Sequence, residues 1–140
     1  SILVLFVALS LTGCVTVKPQ CIDNVCSIFQ EYPDWYDAAK ATEQKWGAPV
    51  PVQMAIIHQE SSFVANARPP RRWILGIIPW TRPTSAYGYC QAVDSTWKLY
   101  QKKTDRFFVS RSNFGDPTDF IGWYIHCAKC QLGIAPSNAY

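Results

Sequence analysis

Charge is scarce in this chain. Lys, Arg, Asp and Glu make up 16% of its 140 residues, against roughly 25% in an ordinary soluble protein. No Lys/Arg run exceeds two residues, so the formal charge of +3 forms no basic footprint of the kind a nucleic-acid binder carries. A mildly basic surface does tolerate an anionic polymer. Glutamate is rarer still: Glu31, Glu43 and Glu60 are the only three, and with so few polar groups each carboxylate merits scrutiny. Apolar runs are short of the about 20 residues a membrane-spanning helix needs. No internal repeat is visible, and the length suits one domain with one core rather than two.

What is present is aromatic and helical. Aromatic residues reach 14%. Tyr32-Pro33-Asp34 starts a helix, because proline suits the first turn and an acid suits its positive end. Trp35, Ala38, Ala39, Thr42 and Trp46 then recur at helical spacing until Gly47 closes it. Pro51 opens a second helix through Glu60. A third, capped by Asp94-Ser95-Thr96, runs to about Lys103. Asp116-Pro117 opens a fourth that ends before Gly133, with Phe120, Trp123, Tyr124 and Cys127 facing inward. Ala135-Pro136-Ser137 is the start expected for a fifth. Residues 64–84, rich in Pro and Arg, read as a long connection with a short strand over 74–78, and connections of this length are usually functional or disordered. The fold class is therefore α+β, predominantly α-helical.

Glu60 is the carboxylate that stands out. At about 100° per residue, Ile56 and Ile57 flank its direction, with Val52 and Phe63 close by, while His58 points nearly the opposite way. A carboxyl on such an apolar stripe is expected to lose hydration, which favours its protonated form. No Lys or Arg lies four residues to either side, so no intrahelical ion pair is expected. Glu31, before the first helix, and Glu43, on its polar side, read as solvated. Asp34, Asp94 and Asp116 suit helix starts. Asp105 and Asp119 are left as candidate partners of Glu60.

The amino terminus reads as an address. Residues 2–11 have the length of a signal-peptide apolar core, and they end in Leu11-Thr12-Gly13-Cys14, which resembles a bacterial lipobox with Cys14 as the lipidated residue. The organisation is then a signal peptide at 1–13, a lipid-anchored tether at 14–31 and a folded domain at 32–140. In lipoproteins of this kind a non-acidic residue after the cysteine, here Val15, goes with outer-membrane sorting. The expected location is the periplasm of a Gram-negative bacterium, with the membrane reached through Cys14. Five cysteines remain. With Cys90 as a small buried hydrophobe, Cys21, Cys26, Cys127 and Cys130 permit three pairings, and a link from Cys21 or Cys26 to Cys127 or Cys130 is favoured. A rival is a metal or thiol site at His126-Cys127-x-x-Cys130, which lacks a second pair of ligands.

Two segments carry a resemblance to a known family. Glu60-Ser61-Ser62-Phe63 resembles the Glu-Ser-x-Phe box that closes a helix in the catalytic domain of soluble lytic transglycosylases. Ser85-Ala86-Tyr87-Gly88-Tyr89-Cys90-Gln91-Ala92 is similar to that family's second motif, usually Ala-x-Gly-Leu-Met-Gln. The resemblance covers roughly residues 33–132. Tyr89 and Cys90 replace the Leu-Met pair, and the 28 residues from Glu60 to Gly88 exceed the family's usual spacing. A third motif, an aromatic and Asn-containing helix facing the Glu, has no counterpart here, so the domain at 32–140 is read as incomplete at its C-terminal end.

The resemblance implies a lysozyme-like fold and a peptidoglycan lytic transglycosylase that acts on glycan strands. Glu60 would serve first as acid and then as base, yielding a 1,6-anhydromuramoyl product, and no metal or cofactor is implied. Ser61, Ser62, Ser85, Tyr87, Gly88, Tyr89 and Gln91 are the candidate substrate-binding residues: hydroxyls and an amide for hydrogen bonds, Gly88 for close backbone approach, and a tyrosine for stacking on a sugar ring. Trp73, Trp80, Arg71 and Arg72 are weaker candidates. Two alternatives stand beside this: a non-catalytic murein-binding lipoprotein, and a hydrolytic muramidase should a second carboxylate face Glu60.

Overall fold

The computed structural model describes residues 18–71, 73–74, 78–79 and 82–133. Among these residues five helices, α1 (Val25–Glu31), α2 (Pro33–Trp46), α3 (Val50–Ser61), α4 (Asp94–Thr104) and α5 (Gly115–Gln131), surround one core, and a two-stranded antiparallel ribbon, β1 (Trp73–Ile74) with β2 (Ile78–Pro79), lies between α3 and α4 in sequence. The predominantly helical α+β expectation holds. The strand expected over 74–78 is instead this ribbon, paired Trp73 with Pro79 and Ile74 with Ile78. Residues 1–17, including Cys14, lie outside the described residues, as do Arg72, Trp80 and the helix start expected at 135–137. No helix among the described residues is long and apolar enough to cross a membrane.

The stretch expected to be a tether folds in part onto the domain. Asn24 Oδ1 accepts the N–H groups of Cys26 and Ser27, at 3.0 and 3.2 Å, which starts α1 and lets Ile28 enter the core. Seven residues are too few to show a helical period, which is why the sequence pattern missed it. The next helix follows expectation closely. Pro33 opens α2, Asp34 lies in its first turn, and Gly47 ends it at φ 69°, its N–H returning to the Glu43 carbonyl.

Helix α5 is the spine against which α2, α3 and α4 pack, with α2 its main neighbour, and α1 packs on α2. Every residue from Asp116 to Trp123 is buried. Gly122 makes the close crossing possible, since a Cβ there would sit 2.6 Å from Thr42 Cγ2 and 2.7 Å from Trp46 Cδ1. Beyond α5 the core is an aromatic stack: Trp35 lies parallel to Phe114 at 4.0 Å, with Tyr89 edge-on to both rings.

Asp94 is the first residue of α4 rather than its cap. Val93 takes the cap position, and the Asp94 N–H is satisfied from outside the helix by Ser85 Oγ at 3.0 Å. Asp94 itself pairs with Arg111 at 2.8 Å.

Candidate active site

Helix α3 carries Glu60 to its last turn, and the chain then reverses sharply. Ser62 and Phe63 adopt φ of 48° and 60°, a left-handed conformation that costs non-glycine residues about 1–2 kcal/mol each. Burial of Phe63 against Trp35 offsets this strain and fixes where α3 stops. The buried face of α3 consists of Val50, Gln53, Met54, Ile57 and Ser61. Glu60 lies about 60° round the helix from the fully buried Ile57.

Glu60 is therefore exposed, and the desolvated carboxylate expected from the sequence is corrected. The pattern misled because the covered side of α3 takes in Met54 and Ser61, about 120° and 100° round the helix from Glu60; the polar Gln53 is also fully buried, its Nε2 donating to the Ala39 and Ala48 carbonyls at 2.9 and 2.7 Å. Once Met54 and Ser61 are counted inside, the core direction rotates away from Glu60. Val52, read as a neighbour of the carboxyl, is exposed for the same reason. His58 does lie on the other side of α3, 3.4 Å from Asp23.

Exposure does not leave Glu60 on a flat surface. It lines a groove of about 450 Å³ with Ile56, Cys90, Gln91, Val93, Thr96, Phe120, Ile121, Tyr124 and Ile125. The walls come from α3, the second motif, the start of α4 and α5. Glu60 is the one carboxylate among the described residues that line this groove, and no described Lys, Arg or His forms an ion pair with it. Burial pushes the neighbouring Cys90 thiol up to about 11; backbone hydrogen bonds and Arg111 pull against that rise, and the charge of Glu60 adds to it. Cys90 is thus a neutral, buried thiol at neutral pH.

The other predicted residues divide. Gln91 reaches the groove. Its backbone is held at φ 50° and its Nε2 donates to Ala67 O and Gly88 O, both at 2.9 Å, so the amide is fixed rather than free to search for a ligand. Tyr89 is corrected: it is 3% exposed, packs on Trp35 and Phe114, and burial pushes its hydroxyl up to about 12. It cannot stack on a sugar without leaving the core. Gly88 is also corrected, because the close neighbour it accommodates is the chain itself; a Cβ would lie 2.0 Å from Arg111 O. Gly88→Ala, at φ 80°, is expected to cost at least about 2 kcal/mol of stability, read as a lowered midpoint in urea unfolding.

Ser61, Ser62, Ser85 and Tyr87 do not line the groove with Glu60. Ser61 is buried and its hydroxyl donates to Ile57 O, inside its own helix. Ser62 forms the left-handed end of α3. Ser85 holds the start of α4, and Tyr87 lies under two guanidinium groups, with Arg68 at 4.5 Å and Arg111 at 5.3 Å from its ring. A hydroxyl, a glycine or a tyrosine in a motif looks the same in sequence whether it serves ligand or loop, and here these four shape the loop.

Four residues had no sequence signal or were read otherwise. Arg111 ties the second motif together, donating to Ser85 O and Ala92 O while its own carbonyl accepts the Tyr89 N–H. Tyr124, expected inward, is 55% exposed and forms part of the groove wall. Asp105 ends α4 at φ 55°, and Asp119 is enclosed by Tyr100, Trp46, Lys45 and Arg106. Neither aspartate lines the groove, so the second carboxylate of a hydrolytic muramidase is missing among the described groove residues.

The cysteines bear out only Cys90, which is buried. The favoured disulfides are corrected: Cys21, Cys26, Cys127 and Cys130 are free thiols, exposed except for the half-buried Cys127. Cys130 Sγ lies 3.7 Å from His126 Nε2, but no group of three or more potential metal ligands occurs among the described residues.

A helical domain that ends a central helix on a lone glutamate beside a groove, with a rigid glutamine loop opposite, has the makings of a glycan-cleaving domain of the lysozyme-like class. The family model described as Transglycosylase SLT domain matches residues 2–140, and the chain belongs to that family. This makes it a lysozyme-like, transglycosylase-type domain directed at peptidoglycan glycan strands. No curated protein and no solved structure matches the chain.

Proposed function

We propose that this protein is a murein lytic transglycosylase that cleaves the β-1,4 bond between N-acetylmuramic acid and N-acetylglucosamine, with Glu60 as its catalytic acid and base. The observation that carries the reading is the position of Glu60 as the single carboxylate among the described residues of the groove. Glycosidases that use water as the final acceptor commonly employ two carboxylates. One suffices when the nucleophile belongs to the substrate. Glu60 in its acid form gives its proton to the glycosidic oxygen as the C1–O bond breaks. As carboxylate it then takes the proton of the sugar's own C6 hydroxyl while O6 bonds to C1, leaving a 1,6-anhydromuramoyl end and a free 4-hydroxyl on the departing strand.

The exposed setting of Glu60 assigns part of the work to the substrate. In the unliganded protein water reaches the carboxylate. A glycan strand lying in the groove would displace that water and enclose the carboxyl between sugar and the side chains of Ile56, Phe120 and Ile121, the dry surroundings in which proton transfer to an acetal is favoured. Gln91 is placed to receive a polar group of the saccharide, because its amide nitrogen is already committed to Ala67 and Gly88 and its carbonyl oxygen has no bond among the described residues.

We further propose that lipidation at Cys14 holds the domain on the periplasmic face of the outer membrane, on the strength of Leu11-Thr12-Gly13-Cys14. Mass spectrometry of sacculi digested by the full-length protein tests the activity. Soluble muropeptides with anhydro ends are expected. Reducing ends would replace the proposal with hydrolysis, and binding to sacculi without release would replace it with a non-catalytic role. The mass of the N-terminal peptide of membrane-extracted protein reads the acyl group directly.

A further inference from the structure

We propose that the loop after α4 is a membrane-contact tip, in which Phe107 and Phe108 enter a bilayer whose anionic headgroups are held by the lysines of α4. The inference is independent of the assignment of Glu60. Phe107 is 60% exposed and Phe108 105% exposed, so the second ring stands clear of the protein on all sides. Two adjacent phenylalanines displayed to solvent are unusual where the same chain buries Phe63, Phe114 and Phe120.

The display is rigid rather than a frayed end. Arg106, immediately before the pair, donates to Asp119 Oδ2 at 2.6 Å and to Asp116 Oδ1 at 3.0 Å. Just after it, the Ser110 N–H donates to Asp116 Oδ2 at 2.9 Å, and the Phe107 carbonyl accepts from Gln101 Nε2 at 3.1 Å. Val109 returns to pack against the core. The loop is thus anchored to buried carboxylates of α5 on both sides while its apex carries the two rings outward.

Charge and area select the occupant. Lys98, Lys102 and Lys103 are exposed on the turns of α4 that lead to the tip, with Asp105 the one acid between them and the rings, a cationic collar suited to phosphate. Each ring carries about 150–250 Å², so the pair falls well short of the roughly 800 Å² that each partner buries in a specific protein complex. A protruding apolar point flanked by lysines is instead the geometry of interfacial insertion, in which rings enter the acyl boundary and ammonium groups remain at headgroup level.

The test uses the full chain with vesicles of phosphatidylcholine alone or mixed with phosphatidylglycerol, followed by hydrogen–deuterium exchange of residues 105–110, a local readout that the apolar residues 2–11 do not affect. Slower exchange at 105–110 is expected with the anionic vesicles. Phe107→Ser with Phe108→Ser should remove that protection and weaken vesicle binding at least about tenfold, with an unchanged thermal midpoint because neither ring is in the core. Lys102→Gln and Lys103→Gln should each weaken it about fivefold. Unchanged exchange at 105–110, equal protection on phosphatidylcholine alone, or protection by purified sacculi instead of vesicles would overturn the proposal.

Discussion

Glu60→Gln is expected to abolish release of anhydro-muropeptides, with kcat falling by at least about 10²–10⁴-fold, while the protein stays folded. Both halves follow from the geometry. Glutamine preserves the size and polarity of the side chain but neither gives up nor accepts a proton at the glycosidic and C6 oxygens. The original carboxylate makes no ion pair among the described residues and is exposed, so its replacement should shift stability by no more than about 0.5 kcal/mol. Glu43→Gln supplies the contrast. Glu43 pairs with Lys40 and accepts the Val50 N–H at the start of α3, so its loss should lower the unfolding midpoint slightly and leave turnover per folded molecule intact. Near-normal anhydro product from the Glu60 variant, with circular dichroism unchanged, would remove Glu60 from the chemistry.

How much of this was legible in the sequence depended on whether a signal was local. Helix α2 could be read because each determinant sits inside it or beside it: Pro33 and Asp34 at one end, Gly47 at the other. The direction of Glu60 could not, because which side of α3 is covered is set by α2 and α5, which only the folded chain brings against it. The second motif was visible as a string, yet most of its members were assigned to a saccharide when their partners are Arg111, Ala67 and the aromatic core. Arg111 lies 19 residues beyond Ala92, whose carbonyl it binds, and no periodicity links the two. Residue type told what Gly88, Tyr89 and Ser85 can do. Which of those capacities is used was decided by tertiary neighbours.

Asp119 shows the same division, and it carries the largest expected effect on stability. Asp119→Ala is expected to destabilise the protein by about 3–5 kcal/mol, the usual result of removing one side of a buried ion pair, and to lower the thermal midpoint by about 10 °C. One oxygen of Asp119 accepts Lys45 Nζ and Trp46 Nε1, both at 2.9 Å; the other accepts Tyr100 OH and Arg106 NH1, both at 2.6 Å. The group thus ties α2, α4 and the loop at Arg106 to α5. Burial pushes its carboxyl up, but hydrogen bonds from Tyr100, Lys45, Trp46 and Arg106 outweigh that and hold it below the ordinary aspartate value. Tyr100 remains a donor throughout, its phenol pushed far up by burial and by Asp119. A carboxylate depressed in the folded state contributes its full stability above the unfolded value, about 3.9, and loses it as pH falls through the lower folded value. Urea midpoints of the wild type should therefore fall below about pH 4, and those of Asp119→Asn should fall less steeply there. The same variant separates structure from catalysis, since Asp119 lies off the groove. Assayed at a temperature where it is folded, Asp119→Asn should release anhydro product at close to the wild-type rate per folded molecule. A folded but inactive Asp119→Asn would return this residue to the reaction as the second carboxylate and make hydrolysis the better account.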